Sequence, residues 1–358
     1  MPRPPTRILC CSPIADPTWR WLAPAPGLRD LALEWHFFRR TATSPLERTI
    51  HTPDLALLLA CRRCINHLAA HGADLLVTHD PRITFWCALL TNWRGLRVRH
   101  LDASFTFATL PGPFKRHLMA RAFRHVDRVV TFSRAQGDEY AREFQIPPEK
   151  IDVQLWGVNR PPTSDPTPYL PNSLANGNKP YICAIGSNRR DYRTLLTAMK
   201  NLPDVPLVIV CYPQNLAGLR IPPNVHVASD VPYPATMGLL ERSAFMALPL
   251  DAQNVNCGHG TLVAAMHLNK TFVVTQSPGL ADYLTDPATN SPTGLTTPVN
   301  DPQSLSRTLR TLWYDTPQRH QLATTAHHFA TTRCTEESTT AHFRAILQEW
   351  NLAAPADR

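Results

Sequence analysis

The chain has 358 residues, 43% hydrophobic and only 18% charged, which is enough apolar material for two domains of ordinary size and excludes a disordered chain. A net charge of +8 suits an anionic partner such as phosphate, nucleic acid or an acidic membrane, but fits a plain solvated basic surface equally well. No segment approaches the roughly 20 uninterrupted apolar residues of a membrane-crossing helix. The opening MPRPPTRILCCSP is too short in apolar run for a secretory signal, so the expectation is a cytoplasmic protein, peripheral at a membrane at most.

Strand-like apolar runs alternate with helix-period stretches from the start. The first strand is expected at residues 7–11. A helix over 56–70 carries Cys61 and Cys64 on one side with Ala60 and Leu68. No second CxxC or nearby paired histidine completes a zinc site, so these cysteines read as buried free thiols in a reducing compartment. Strands at 74–78, 98–101, 128–132 and 151–155 then alternate with helices at 83–92, 114–125 and 136–144. This βαβ rhythm predicts a parallel sheet covered on both faces.

Residues 160–180, RPPTSDPTPYLPNSLANGNKP, are dense in Pro, Ser and Asn without periodicity and read as a domain linker. The alternation restarts with strands at 181–185, 207–211, 225–227, 244–248 and 271–275. Helices fit 192–201, 261–269, 302–314, 318–330 and 337–350. The expected division is a first domain over 1–160, a linker over 161–180, a second domain over 181–335 and a closing helix over 336–358.

Two loops of the second half carry the chemistry. In YICAIGSNRRDY, a strand runs into Gly186 and Ser187, followed by Arg189 and Arg190. Ligands of open α/β sheets bind at the carboxyl ends of strands, and two guanidiniums there can grip phosphate bidentately. Surface arginines on a plain loop are the bland alternative. In LPLDAQNVNCGHGTLVAAM, a strand is followed by Asn254, Asn256, Cys257, Gly258, His259, Gly260 and Thr261, and then a helix. A helix N-terminus attracts a diphosphate, and Thr261 can cap the helix or bond a phosphate oxygen. The pattern is neither a Walker loop nor a GxGxxG fingerprint.

Together these stretches resemble glycosyltransferase family 4-like enzymes of the GT-B fold. GSNRRDYRTLLTAM resembles the family's loop that sets a basic residue on the donor diphosphate. GHGTLVAAMHLNKTFVVT resembles its G-x-x-x-x-E-A-M-x-x-G-K-P-V-V-x-T block. HVDRVVTFSRAQGDEYAREFQIPPEKIDVQLWGVN resembles its first-half S-x…G-V-D segment, with Ser133 at the serine. The family carries two glutamates eight residues apart around the second loop. One register puts Asn256 and Ala264 at those places, and the register on the glycines puts Cys257 and Ala265 there. Neither supplies an acid.

The resemblance implies an α/β chain of two Rossmann-like domains facing a cleft, with the C-terminal helix crossing back to the first. It implies transfer of a sugar from a nucleoside diphosphate sugar to an acceptor hydroxyl, with retention at the anomeric carbon. Donor contacts fall on Gly186, Ser187, Arg189, Arg190, Asn256, Gly258, His259, Gly260 and Thr261. Arg189 and Arg190, with the loop from Gly258 to Thr261, are expected to stabilise the leaving diphosphate, Arg190 as a catalytic group, so no metal or other cofactor is expected to be required. In the first half, His79 and Asp80 follow one strand and His100 and Asp102 end the next, and these four are expected to face the acceptor. The acceptor stays open between lipid, glycan, protein and small metabolite.

The segment around Lys115 to Arg128, with Arg116, Arg121 and Arg124 among Phe114, Leu118, Met119 and Phe123, reads first as an amphipathic helix with solvated arginines. Its second reading is a peripheral contact with anionic membrane. Missing the ribose-holding glutamate, the chain has a competing reading as an inactive sugar-nucleotide binder or partner subunit. Nucleic-acid binding rests on charge alone, with no recognisable motif, and is not expected.

Overall fold

The computed structural model describes residues 4–41, 53–176, 179–251 and 256–353; Asn254 of the second phosphate loop lies outside them. The chain forms two compact units, Met1–Gln154 with Glu337–Arg358, and Leu155–Glu336.

The first unit runs β1 (Thr6–Ser12), β2 (Leu33–Arg39), α1 (Pro53–His71), β3 (Leu75–Thr78), α2 (Pro81–Trp93), β4 (Arg99–Asp102), α3 (Pro113–Phe123), β5 (Arg128–Thr131), α4 (Arg134–Phe144) and β6 (Ile151–Val153). All its strands are parallel, in the order β2-β1-β3-β4-β5-β6. Strand β2 is not among the expected elements. Its residues are all half-buried, as an edge strand's are, and its alternation sets Leu33, Trp35 and Phe37 on one face.

The connection from β1 to β2 holds only a short 3-10 turn, Pro26–Leu28, where a crossover helix is usual. The last helix of the chain, Glu336–Glu349, fills that place. Its Phe343, Ile346 and Leu347 pack with Ile8, Cys10, Leu22 and Val77. Fully burying side chains of this size is worth about 1.5–3 kcal/mol each. Arg344 adds bonds to the Gly27 carbonyl and Asp30 on the same loop. Helix α3 buries Met119 and Phe123 and leaves Phe114 and Leu118 exposed. Of its neighbouring arginines, Arg116 pairs with Glu143, and Arg128 pairs with Asp152 and Glu349.

The second unit runs α5 (Asn172–Ala175), β7 (Ile182–Ile185), α6 (Tyr192–Met199), β8 (Leu207–Val210), β9 (Val225–Ala228), α7 (Tyr233–Arg242), β10 (Phe245–Leu248), α8 (His259–His267), β11 (Phe272–Thr275), β12 (Thr285–Asp286), β13 (Ser291–Pro292), β14 (Leu295–Thr297), α9 (Pro302–Tyr314) and α10 (Thr316–Arg333). Six parallel strands stand in the order β14-β11-β10-β7-β8-β9, and β12 pairs antiparallel with β13. The sheet strands are buried on every residue in β7, β8, β10 and β11, as a sheet covered on both faces requires. Helices start on side-chain caps: Asp191 accepts from Thr194 N–H, and Asp301 from Ser304 N–H.

Residues 161–180, expected as a linker, lie inside the second unit. Leu170 and Leu174 are core residues beside Tyr181 and Met237. The Ser164 amide donates to the Pro234 carbonyl at 3.0 Å. The prolines stiffen a packed strap instead of a free tether.

The strap lies against α7, a helix not expected from the sequence because Pro234 and Gly238 interrupt its pattern. Gly238 has a packing reason: a Cβ there would stand 2.1 Å from the Ser164 carbonyl oxygen. Gly238→Ala is therefore expected to destabilise the second unit by about 2 kcal/mol or more, since backbone must move to admit the methyl. A thermal melt equal to wild type would show that the strap yields freely.

Candidate functional site

In the second unit the strand order reverses between β7 and β10, which are paired neighbours. Such a switch point is where open α/β sheets hold ligands, beyond the carboxyl ends of the strands. Both predicted loops leave from these two strands, and an isolated bridge between Arg190 and Leu250 ties them together.

Gly186 has φ 111°, a conformation that costs glycine little. The Arg190 guanidinium lies over it, with Nη2 2.8 Å from where a Cβ would stand. That guanidinium is held on several sides. Nε donates to the Ile185 carbonyl at 3.2 Å, and Nη1 to the Asn188 carbonyl at 2.7 Å. Nη1 also reaches Cys257 Sγ at 3.7 Å, and Nη2 donates to Thr261 Oγ1 at 3.3 Å. Arg190 thus links the first loop to the first turn of α8.

Arg189 differs from its neighbour. Its φ is 56°, and its side chain forms an ion pair with Asp251 at 3.0 Å. Half of the predicted double grip is thus already matched by a carboxylate that sequence reasoning passed over. Ser187 is also engaged: its Oγ accepts from the Tyr212 amide at 2.9 Å, and its carbonyl from Asn215 Nδ2 at 2.8 Å.

Helix α8 begins at His259, with Gly258 as its N-cap and no side-chain cap. Thr261 is therefore not the cap; its hydroxyl accepts from Arg190. The backbone of His259 belongs to the first turn, but its side chain turns inward, with Nε2 2.9 Å from the Gly279 carbonyl. Burial pushes its pKa down to about 4, so the ring is neutral and offers a ligand no charge. Trp156 was not foreseen. Its indole lies about 3.7 Å from a Cβ built on Gly260, and its amide donates to the Tyr283 hydroxyl at 2.9 Å. Nothing in the WGVN stretch distinguishes this tryptophan from a core residue. Asn256 is half-buried at the loop's end and Ala264 is buried.

In the first unit, β3 and β4 pair Thr78 with Asp102. The four residues expected to face an acceptor do not share one role. Asp80 is the N-cap of α2: its carboxylate accepts from the Arg82 amide at 2.8 Å and pairs with the Arg82 guanidinium at 2.7 Å. Its φ of 121° is a strained value for a non-glycine residue. His100 lies within β4, buried, with Nε2 3.1 Å from Thr78 Oγ1. Desolvation pushes its pKa down to about 4. Asp102 is fully buried, and burial pushes its pKa up to about 7. Its carboxyl meets the Thr84 hydroxyl at 2.5 Å and accepts from the Ser104 amide at 2.8 Å. Thr84 is in turn 2.6 Å from the Thr78 hydroxyl, so one buried chain runs Asp102–Thr84–Thr78–His100.

His79 lies apart from that chain. Its ring stands edge-on to Trp19 and Trp21 at 5.2 and 4.5 Å, and its buried Nε2 has no hydrogen-bond partner. Burial pushes its pKa down to about 3. Ser133 caps α4, accepting from the Gln136 amide at 3.3 Å, which is no nucleophile's arrangement. No helix among the described residues is long and apolar enough to cross a membrane.

Two parallel α/β units, one with a switch-point loop pair, define a class that the comparisons share. Residues 21–160 match the family described as Glycosyltransferase Family 4. No curated protein matches the sequence significantly. Among solved structures, sucrose-phosphate synthase from Thermosynechococcus elongatus superposes with a TM-score of 0.74 at 14% identity, covering 98% of this chain and all of that one. HepE of Anabaena, solved with UDP-glucose, gives a TM-score of 0.69 at 15% identity over 96% of this chain and 99% of its own. A glycosyltransferase from Rickettsia africae gives 0.65 at 15% identity over 97% and 99%. The structural likenesses establish the GT-B fold. The family match covers the first unit, and the fold likeness spans both.

Proposed function

We propose that the chain transfers a sugar from a nucleoside diphosphate sugar to an acceptor hydroxyl, with retention at the anomeric carbon. One observation carries the reading. A fixed guanidinium, Arg190, lies at the switch point between a glycine turn and the first turn of α8. Cleaving the donor leaves a diphosphate, so negative charge grows on it in the transition state. A cation and N–H dipoles already in place there favour that state without reorganising. HepE, solved with UDP-glucose, supports a uridine diphosphate donor as the first to try. In this reading Arg190 and the end of α8 take over the neutralising work of a divalent cation.

A thermal-shift series against nucleoside diphosphates and their sugars tests the donor class. At about 100 times its Kd, a ligand of the folded state adds about 2.7 kcal/mol, which raises the melting temperature by several degrees. UDP or UDP-glucose is expected to do so. A melt unmoved by any nucleoside diphosphate would sink the reading.

A second reading, a binder without turnover, is favoured by one observation: Ala264 and Asn256 offer no carboxylate beside the loop. Donor binding without transfer or hydrolysis across a broad acceptor panel would select it.

A further inference from the structure

Four of the cysteines converge in the first unit. Cys11, Cys61, Cys64 and Cys87 are each fully buried. The sulfurs of Cys11, Cys61 and Cys87 all lie within 4.8 Å of one another. Cys64 shares thiol hydrogen bonds with Cys11 and Cys87. The CxxC on α1 supplies two of the four, and the fold brings the others from β1 and α2. Strand alternation sets Cys11 beside Leu9 on this side of the sheet and turns Cys10 to the opposite face with Ile8. On α1, a spacing of three puts Cys61 and Cys64 on one face.

Packing alone needs no such convergence, since alanine or valine fills a core as well as a thiol. A zinc ion bound at about 2.3 Å by tetrahedral thiolates sets its sulfurs about 3.8 Å apart, so the Cys11, Cys61 and Cys87 sulfurs need to close by no more than about 1 Å, with Cys64 reaching in beside Cys11 and Cys87.

We propose that Cys11, Cys61, Cys64 and Cys87 bind one zinc ion as a structural centre joining β1, α1 and α2. An all-sulfur set selects a thiophilic cation over magnesium or calcium. Binding forms four Zn–S bonds and releases the four thiol protons to solvent, with no change of oxidation state. The sulfurs are sealed from solvent, so the ion enters as the unit folds, and its binding energy is folding energy. The centre is independent of the transfer reading, which rests on residues of the other unit.

The test uses the full chain, expressed with added zinc and purified under reducing conditions without chelator. Elemental analysis is expected to find one zinc per chain that survives dialysis against chelator and is released on denaturation. X-ray absorption should show sulfur-only coordination. Cys11→Ser and Cys87→Ser should lose the metal, and Cys10→Ser should keep it. Because the ligand variants can fail to fold, wild type is also unfolded under anaerobic reducing conditions and refolded with zinc or with chelator. Refolding with zinc should raise the melting temperature by several degrees. A zinc-free chain with all thiols titratable on denaturation, melting alike with and without zinc, overturns the proposal. So does a disulfide among the four, or the absorbance of an iron–sulfur cluster.

Discussion

Replacing Arg190 by alanine is expected to lower turnover by about 10²–10³-fold, the usual loss when one preorganised transition-state donor is removed. The loss should fall mainly on kcat, with a smaller rise in KM for the donor. In the proposed reaction the diphosphate gains a further negative charge as the sugar–oxygen bond breaks, so Arg190 holds the transition state more tightly than the bound donor. Lysine should not rescue the variant. Arg190 makes its contacts through Nε, Nη1 and Nη2 at once, to Ile185, Asn188 and Thr261, and an ammonium cannot reproduce that planar fork.

Arg189→Ala should cost far less, within about tenfold, because its charge is already matched by Asp251 at 3.0 Å and half-exposed pairs of this kind are worth about 1 kcal/mol or less. The measurement is steady-state kinetics with the donor that the thermal-shift series identifies. A melt of the Arg190 variant separates lost catalysis from lost fold. Equal kinetics for Arg190→Ala and wild type would falsify the placement of the diphosphate.

The second large effect concerns stability and pH. Asp102 has a folded pKa of about 7 against an ordinary 3.8, raised by burial. Below its unfolded pKa the carboxyl is neutral in both states, and the fold keeps the full benefit of a protonated carboxyl. As pH climbs from 3.8 towards 7, the unfolded chain gives up the proton and the folded chain retains it. Stability contributed by this group is therefore lost across that window, by about 4 kcal/mol at most. Above about 7 both states are ionised and the loss levels off.

His79 and His100 act with the opposite sign. Their folded pKa values, about 3 and about 4, lie below the ordinary 6.5 because both rings are buried. The stability they contribute is present above 6.5 and is lost as pH falls towards those values. The two trends overlap, so the wild-type curve alone does not isolate Asp102. The difference between Asp102→Asn and wild type does. The asparagine cannot ionise, so denaturant unfolding should show the variant gaining on wild type steadily between pH 4 and 7. A difference independent of pH would mean that Asp102 titrates normally.

The buried chain Asp102–Thr84–Thr78–His100 also marks where the sequence could and could not be read. The β3 and β4 strands were legible, because apolar runs between turn residues have few other uses. That His100 and Asp102 turn inward to Thr78 and Thr84 was not, because those partners come from another strand and another helix. Both glycine loops of the second unit were legible as strand-to-helix turns, and the switch point between β7 and β10 explains why they come together. The partners of the arginines were not: Asp251 and Cys257 reach Arg189 and Arg190 from a different loop. Likewise α7 hides its helical pattern behind a glycine whose purpose is the backbone of residue 164.

The missing crossover helix between β1 and β2 has a consequence for synthesis. The ribosome releases residues 1–154 before the second unit, but the first sheet's cover, with Phe343, Ile346 and Leu347, emerges after it. Domains usually fold in the order in which they emerge. Here the first unit has an open apolar face until the second is complete, so the later half of the chain finishes folding before the earlier half. A nascent chain stopped at residue 336 carries a finished second unit and an unsealed first one, which is the species a chaperone would meet.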